Sequence, residues 1–319
     1  MTPPVGILLV DKAVGPTSHD VVDAVRKAAR IRGVGHAGTL DPFASGLLLV
    51  LLGSATRLSE YFLGMDKEYE ATVHLGVETA SHDRDGEIVS EASGWKEVDA
   101  DELEAALAGL RGRISQRPPA YSAKKIRGEA AHRRVRRGEK VELGPVEVEV
   151  HDLKVLEMDL PRVRLGVRCS SGTYIRALAR DLGRSLNVGG HLSTLRRTCI
   201  GPFRVTSSLP LDSLSAIEAI QTNLITPALA LAHFPSFEVG PEEAARICQG
   251  QFLPIPHTEI PEGTPVRVLL EGDLLAVAAR EGDQLRPRKV LGTCPRAERS
   301  ETTECPRGKL ARTITGKGS

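Results

Sequence analysis

Apolar and polar residues alternate along the N-terminal part of the chain in a way that predicts several strands. Val5 to Val10 is a short apolar run typical of a buried strand. Tyr69 to Val77 alternates with a period of two, which marks a half-buried strand, and Val146 to Met158 and Val163 to Cys169 are predicted as further strands. The run from Gly46 to Leu52 is apolar throughout, so it fits either a buried strand or a core helix.

Helices are predicted where apolar residues recur with the helical period. The first begins at Thr17 or Ser18, either of which can act as its N-cap, and runs to about Ile31. Because strands and helices are mixed without a regular strand–helix–strand alternation, we predict an α+β fold with a mixed, largely antiparallel sheet and flanking helices. Three more helices are predicted at Ala55 to Leu63, Asp101 to Leu110 and Thr173 to Leu186.

The pattern changes between residues 224 and 235, where Pro227 starts a short helix and Pro235 ends it. Glycine and aspartate turns separate the short apolar runs that follow, as expected of a small β-rich domain. After Leu291 the periodicity disappears, so we predict a disordered tail. We therefore divide the chain into domains at 1–232 and 233–292 and a polar tail at 293–319. The strands predicted for the second domain are Phe237 to Val239, Pro265 to Leu270, Leu274 to Ala279 and Lys289 to Leu291.

Charge is segregated along the chain although the formal net charge is only +1. From Arg111 to Arg137 ten basic residues accompany one acid, Glu129, and from Arg162 to Arg204 nine arginines accompany only Asp181. The stretch from Asp66 to Glu104 is acidic. One basic run alone could be a solvated helix face, but two of them favour a basic surface that binds a polyanion.

The N-terminal segment, MTPPVGILLVDK, has no basic region before its short apolar run, so we interpret it as a strand and not as a signal peptide. Every apolar run, including Leu47 to Leu52, is too short to cross a bilayer. We therefore expect a cytoplasmic protein that is not embedded in a membrane. The five cysteines are scattered without a Cys-x-x-Cys pair, which argues against a zinc knuckle.

Histidines and aspartates gather between His74 and Asp85, and Asp83-Arg84-Asp85-Gly86 faintly resembles a calcium-binding loop. The glutamate that such a loop needs at its twelfth position is missing. We interpret His82, Asp83 and Asp85 as parts of an acidic surface turn and expect no metal site.

The segment from Gly35 to Gly46, GHAGTLDPFASG, contains three glycines and a proline, which force a tight, irregular loop. It runs directly into the apolar residues that begin at Leu47. A loop anchored on a rigid buried element can hold one side chain at a cleft, and Asp41 is the candidate. An isolated Asp-Pro pair, however, is more often simply a turn.

The pattern Gly-His-x-Gly-Thr-Leu-Asp-Pro-x-Ala-x-Gly resembles the catalytic motif of the TruB family of tRNA pseudouridine synthases. The resemblance covers about residues 5 to 205, and Phe237 to Leu291 more faintly resembles the PUA-type RNA-binding module. The other matching blocks are Asp11-Lys12 with Gly15-Pro16-Thr17-Ser18, Lys67-Glu68-Tyr69, Pro118-Pro119-Ala120-Tyr121-Ser122-Ala123 with Lys125 and Gly128, Ser171-Gly172-Thr173-Tyr174-Ile175-Arg176, and His191-Leu192 with Leu195-Arg196-Arg197.

The resemblance implies an enzyme that isomerises uridine 55 in the T loop of tRNA to pseudouridine without a cofactor. It makes Asp41 the essential carboxylate and places Arg176 beside it, where a guanidinium keeps a desolvated aspartate charged. Tyr69 would stack on the flipped base, and Leu195 would pack under the same pocket. Tyr174, from the arginine motif, is expected to contact the substrate.

The resemblance also implies the RNA contacts. His36 would fill the space that the flipped uridine leaves, and Lys12, Tyr121 and Lys125 are expected to contact the tRNA T stem-loop. We expect a monomer without an obligatory protein partner. A tRNA-folding chaperone with secondary catalysis, and a synthase guided by a separate RNA, are the alternatives.

Two positions depart from the family pattern. Ala13 stands where a proline usually follows the lysine of the first motif, and His132 stands where the basic block usually has a tyrosine. Both are expected to alter RNA affinity, and neither touches Asp41.

Overall fold

The computed structural model describes residues 3–121, 125–126, 129–130, 134, 137, 139, 141, 143–215, 217–255 and 260–292. The departure at His132 and the expected disorder of residues 293–319 lie outside the described residues, as does the side chain of Lys125. The packing of the backbone divides the chain into two units, Met1–His233 and Phe234–Ser319.

The first unit contains fourteen strands among its described residues, several of them short. They are β1 (Gly6–Lys12), β2 (Val34–His36), β3 (Ser45–Leu52), β4 (Lys67–Leu75), β5 (Val77–Thr79), β6 (Ile88–Glu91), β7 (Gly112–Gln116), β8 (Lys125–Ile126), β9 (Glu129–Ala130), β10 (Val146–Asp159), β11 (Arg162–Cys169), β12 (Gly190–Ile200), β13 (Phe203–Arg204) and β14 (Leu209–Pro210).

Helices connect these strands. The α-helices of the first unit are α1 (Ser18–Ala29), α2 (Ser59–Leu63), α3 (Ala100–Ala108), α4 (Ile175–Ser185), α5 (Ile217–Thr222) and α6 (Pro227–Ala230). Four short 3₁₀ helices lie at Gly53–Leu58, Gly94–Glu97, Val205–Ser207 and Leu211–Ser215.

Ten strands form one sheet, in the order β14-β1-β3-β12-β4-β11-β10-β7, with β2 added to β3 and β13 to β12. Two of its pairings are parallel, β1 with β14 and β3 with β12, and the others are antiparallel. The predicted α+β fold with a mixed, largely antiparallel sheet is confirmed.

The local sequence explains where the first elements begin. Thr17 is the N-cap of α1 and forms a capping box with Asp20, whose carboxylate accepts from the main-chain N of Thr17 at 2.8 Å. The apolar face of α1, including Val21 and Val25, packs in one core cluster with β1 and β3. The ambiguous run at Gly46 to Leu52 is the strand β3, and all of it is buried.

The eleven-residue strand β12 was not predicted, although it lies between β3 and β4 at the centre of the sheet. Its register against β4 shifts between Leu192 and Thr194 and again between Arg197 and Cys199. Each irregularity moves the following side chains to the other face. The alternation is therefore interrupted twice within one strand, and a search for a period of two does not detect it.

The second unit has a sheet of its own in the order β15-β17-β18-β19-β16. Its elements are β15 (Ser236–Glu238), α7 (Pro241–Cys248), β16 (Leu253–Pro254), β17 (Pro265–Leu270), β18 (Asp273–Glu281) and β19 (Gln284–Val290). A separate apolar core, which includes Ile247, Val266 and Leu285, stabilises this unit. Within the described residues, every helix is too short or too polar to cross a membrane.

Replacing Gly46 by alanine tests the close approach of β3 and β12. Gly46 has φ of 104°, where side chains are strained, and a Cβ would collide with the main chain of Arg197. We expect Gly46→Ala to destabilise the protein by about 2 kcal/mol or more, measured by urea unfolding.

Gly64→Ala is the matched control, because Gly64 has φ of −74° and a Cβ there would come no closer than 4.0 Å to its neighbours, at Glu60 O. It should leave stability within about 0.5 kcal/mol of the wild type. Equal midpoints for the two variants would contradict the proposed constraint at Gly46.

Candidate active site

Asp41 lies on the loop between β2 and β3, which buried residues anchor on both sides. Ser18, at the start of α1, binds the main chain of Leu40 twice: its Oγ accepts from Leu40 N at 2.8 Å and donates to Leu40 O at 3.0 Å. Phe43 and Ala44 follow and are buried in the core. The loop therefore presents the Asp41 side chain, which is 35% exposed, from a fixed backbone.

Arg176, in the first turn of α4, reaches this carboxylate with two nitrogens. Its Nε lies 2.9 Å from Asp41 Oδ2, and its Nη2 donates to Asp41 Oδ1 at 3.3 Å. The second contact is a hydrogen bond and the first is an ion-pair contact, so both carboxylate oxygens face the guanidinium. The structure thus brings together two residues that are 135 positions apart in the sequence.

The other donors of Arg176 are also used. Nη1 donates to Asp83 Oδ2 at 3.2 Å and to Ser81 O at 3.2 Å, and Nη2 donates to Tyr121 O at 2.8 Å. Together with the bond from Nη2 to Asp41, the four N–H groups on Nη1 and Nη2 have acceptors, and Nε lies in ion-pair contact with Asp41. The guanidinium, 7% exposed, is therefore held in one orientation.

Asp83 is a site residue that the sequence analysis missed. It is 6% exposed, so its interpretation as part of an acidic surface turn is wrong. Its Oδ1 accepts from Ser81 Oγ at 2.5 Å and from Asp85 N at 3.1 Å, which leaves Oδ2 for Arg176. Nothing near Asp83 in the sequence indicates this pairing, because its partner lies 93 residues away.

The neighbouring acids and histidines do not form a metal centre. Within the described part of the chain, no three His, Cys, Asp or Glu side chains are close enough together to hold a metal ion. His74 instead stacks on His191, with ring centroids 5.3 Å apart. His82 lies 3.5 Å from Arg180 Nη1, and burial lowers the pKa of His82 to about 4.

Lys12 is fully buried, although the resemblance placed it in contact with RNA. Its Nζ donates to the main-chain oxygens of Ala13 at 2.9 Å and Pro16 at 2.8 Å, and more weakly to Pro42 O at 3.4 Å. Burial lowers the pKa of Lys12 to about 8. This environment leaves no room for a phosphate, so Lys12 fastens the loop that follows Asp41 to the end of β1.

Arg197 supports the same loop from β12 and was not assigned a role from the sequence. It is 2% exposed and donates to Leu47 O at 2.8 Å, Gly38 O at 3.0 Å and Thr39 O at 3.4 Å. Its register partner on β4 is Tyr69. Burial raises the pKa of the Tyr69 hydroxyl, and the charge of Arg197 beside it opposes that rise.

The pKa of Asp41 is raised above its ordinary value, chiefly because the carboxyl is removed from water. Arg176 lowers this pKa, as expected from the sequence, but does not overcome the effect of burial. The negative charge of Asp83 adds to the rise, and Lys12 opposes it. The carboxylate is thus aimed by its partner but remains more basic than an ordinary aspartate.

A cavity of about 350 Å³ opens beside the ion pair, between the Asp41 loop and the start of α4. Of the residues predicted for the site, five line it: Asp41, Tyr69, Tyr174, Arg176 and Leu195. The remaining lining residues are Gly38, Thr39, Leu40, Leu63, Lys67, Ser170, Gly172, Thr173, Ile175 and Arg197.

Besides Lys12, two further predicted residues with described side chains, His36 and Tyr121, do not line this cavity. His36 is half-buried at the end of β2, and its Nδ1 has no hydrogen-bond partner among the described residues. Burial lowers the pKa of His36, which favours a neutral imidazole. Tyr121 is 39% exposed, and its main-chain oxygen reaches Arg176. The side chain of Lys125 lies outside the described residues.

Comparisons with known proteins identify the family that the chain matches. The model of the TruB family pseudouridylate synthase N-terminal domain matches residues 26–175, and that of the tRNA pseudouridylate synthase B C-terminal domain matches residues 176–230. The tRNA pseudouridine synthase B of Thermobifida fusca is 43% identical over 90% of this chain and 98% of its own length. That of Caldanaerobacter subterraneus is 38% identical over 90% and 99%.

Solved structures show the same fold. Cbf5 in a Cbf5-Nop10-Gar1 complex superposes with a TM-score of 0.70 at 28% identity and covers 90% of this chain and 85% of its own. An H/ACA RNP chain bound to a substrate RNA containing 2′-deoxyuridine gives 0.68 at 26% identity, with coverages of 91% and 86%.

The raised pKa of Asp41 predicts a difference in stability between the wild type and the Asp41→Asn variant. A carboxyl whose pKa is higher in the folded than in the unfolded state is destabilising while it is ionised, and this cost disappears as the pH falls through the raised pKa. We therefore expect Asp41→Asn to leave the melting temperature at pH 7 unchanged or higher by about 1–3 °C. Calorimetry from pH 7 down to about pH 4 should show the difference shrinking.

Asp20→Asn is the control with the opposite sign, because the bond from Thr17 lowers the pKa of Asp20. A lowered carboxyl pKa contributes stability above the ordinary pKa, so this variant should melt earlier at pH 7. A clear drop in melting temperature for Asp41→Asn would show that the ionised Asp41 stabilises the fold.

Proposed function

Because the chain belongs to the TruB family of pseudouridine synthases, we propose that it converts uridine 55 in the T loop of tRNA to pseudouridine without a cofactor. The observation that carries the proposal is the ion pair between Asp41 and Arg176, in which both carboxylate oxygens face the guanidinium at the wall of a 350 Å³ cavity. A carboxylate that is ionised, held in place and partly accessible is what the reaction requires.

The reaction needs no added atoms. The bond between N1 of the base and C1′ of the ribose breaks, the base turns, a bond forms between C5 and C1′, and the proton on C5 is released while N1 gains one. Asp41 acts either by attack on C1′, by attack on C6 of the base, or by removing a proton to form a glycal. In each route its negative charge is lost in one step and restored later.

The cavity residues fit the remaining tasks. Tyr69 offers an aromatic face on which a flipped uracil stacks, and Leu195, 8% exposed, provides an apolar surface beneath it. Tyr174 borders the same cavity at the start of α4. His36, the last residue of β2 before the Asp41 loop, supplies an imidazole plane for the space that the uridine vacates.

The basic segments of the first unit bind the tRNA backbone, and this affinity falls steeply with salt. We assign the β-rich second unit to a PUA-like RNA-binding module at 233–292 and the catalytic domain to 1–232. The enzyme acts alone, whereas the Cbf5 neighbours occur in complexes with Nop10 and Gar1.

A direct test is to incubate the protein with an unmodified tRNA transcript and to map pseudouridine by chemical labelling and primer extension. We expect one product at the T-loop uridine without any added cofactor. Asp41→Asn should make none, because the reaction needs the carboxylate. Its Kd for tRNA should stay within about threefold of the wild type, because the basic segments that bind the RNA backbone do not depend on this carboxylate. Product from Asp41→Asn would refute the role of Asp41.

Arg176→Lys tests the pairing geometry. A lysine keeps the charge but cannot occupy two carboxylate oxygens together with the oxygens of Asp83, Ser81 and Tyr121. We expect the single-turnover rate to fall at least about a hundredfold with the fold intact by circular dichroism. Arg267→Lys is the control, because Arg267 lies in the second unit and binds Phe234 O. Equal rates for wild type and Arg176→Lys would count against the pairing.

A further inference from the structure

The side chain of Gln116, at the end of β7, is 1% exposed and binds the main chain at the start of α4. Tyr174 N donates to Gln116 Oε1 at 2.8 Å, and Gln116 Nε2 donates to Tyr174 O at 3.1 Å. One side-chain amide therefore satisfies both main-chain groups of a single residue that lies 58 positions away. Both its donor and its acceptor are needed for this arrangement.

The position of Tyr174 matters because it is the N-cap of α4 and makes no side-chain capping hydrogen bond in the described structure. Tyr174 O already accepts from the main-chain nitrogens of Ala177 and Leu178 at 3.0 and 3.1 Å. Gln116 thus holds the main chain of the N-cap residue, and with it the first turn, from outside the helix. Arg176 follows Tyr174 by two residues, so a shift of this turn would move the guanidinium away from Asp41.

The same stretch of chain is bound to α4 at two further points. Arg180 Nη1 donates to Arg117 O at 3.2 Å, and Arg176 Nη2 donates to Tyr121 O at 2.8 Å. The stretch from Gln116 to Tyr121 begins the connection between β7 and β10, and the pairing of Gln116 with Val146 closes its base. This connection carries most of the first basic run. The hydrogen bonds of Gln116, Arg180 and Arg176 therefore join the RNA-binding segment to the catalytic arginine.

We propose that Gln116 is a positioning residue for pseudouridine formation, because its hydrogen bonds to Tyr174 orient Arg176 against Asp41. The inference rests on the proposed function. If Gln116 only filled space or supported the fold, the identity of its donor atom would not affect the rate. If it only anchored the basic connection, its loss would weaken tRNA binding and leave the chemical step unchanged.

Gln116→Glu separates these roles, because the two side chains have nearly the same shape. A protonated glutamic acid keeps one O–H donor for Tyr174 O and one acceptor for Tyr174 N. An ionised glutamate has acceptors alone and is repelled by Tyr174 O. Burial at this position raises the pKa of the introduced carboxyl, and the charges of Arg176 and Arg180 on the adjoining helix oppose that rise, so the neutral form gains population as the pH falls.

The experiment measures single-turnover rates with saturating enzyme, divided by the wild-type rate at each pH so that the titration of Asp41 cancels. For Gln116→Glu we expect a ratio near one at pH 6 that falls about tenfold or more by pH 9. The Kd for tRNA should stay within about twofold. Gln116→Leu should be slow at every pH, and Gln221→Glu, at an exposed position on α5, should follow the wild type.

A ratio for Gln116→Glu that does not change with pH would overturn the proposal, as would a loss confined to the Kd. Melting temperatures at both ends of the pH range show that the compared variants are folded. A wild type that makes no pseudouridine would instead refute the proposed function, and the two failures are thereby distinguished.

Discussion

The structure of the site depends on one guanidinium, that of Arg176, which makes four hydrogen bonds and an ion-pair contact. One hydrogen bond and the contact of Nε go to Asp41, two hydrogen bonds go to the turn that contains Asp83, and one goes to Tyr121 O. A buried arginine with unpaired donors destabilises the fold. Each segment that supplies an acceptor therefore helps to hold the guanidinium, and through it the other segments, in position. Three segments that are distant in the sequence are thereby held in one relative position by a single side chain.

The same principle explains the buried cations behind the catalytic loop. Lys12 and Arg197 bind main-chain oxygens of the loop instead of surface acids, so their charges stay in the interior and act on Asp41. A main-chain carbonyl cannot move independently of the fold, and a cation bound to it is therefore preorganised. The loop needs this support because its glycines give it little conformational preference of its own.

The sequence predicted the elements whose determinants are local. The N-cap and apolar face of α1 and the alternation of β4 are contained in short stretches, and both elements are found close to their predicted bounds. Asp83 and Lys12 were assigned incorrectly and Gln116 was not singled out, because their partners are set by tertiary contacts and no local pattern distinguishes a buried polar residue from an exposed one. The strand β12 was missed for a related reason, since its bulges serve the packing against its neighbours.

The unequal exposure of the two carboxylates gives them different tasks. Asp83 is almost fully buried, whereas about a third of the Asp41 side chain faces the cavity, so Asp41 is the one that can react. In the proposed reaction, Asp41 loses its charge for part of the cycle by any of the three routes. Without Asp83 that step would leave Arg176 buried and unpaired, at a cost of about 3–5 kcal/mol. Asp83 raises the pKa of Asp41, but it would keep the arginine neutralised throughout the proposed reaction, so the Asp41 carboxylate would be free to change its charge.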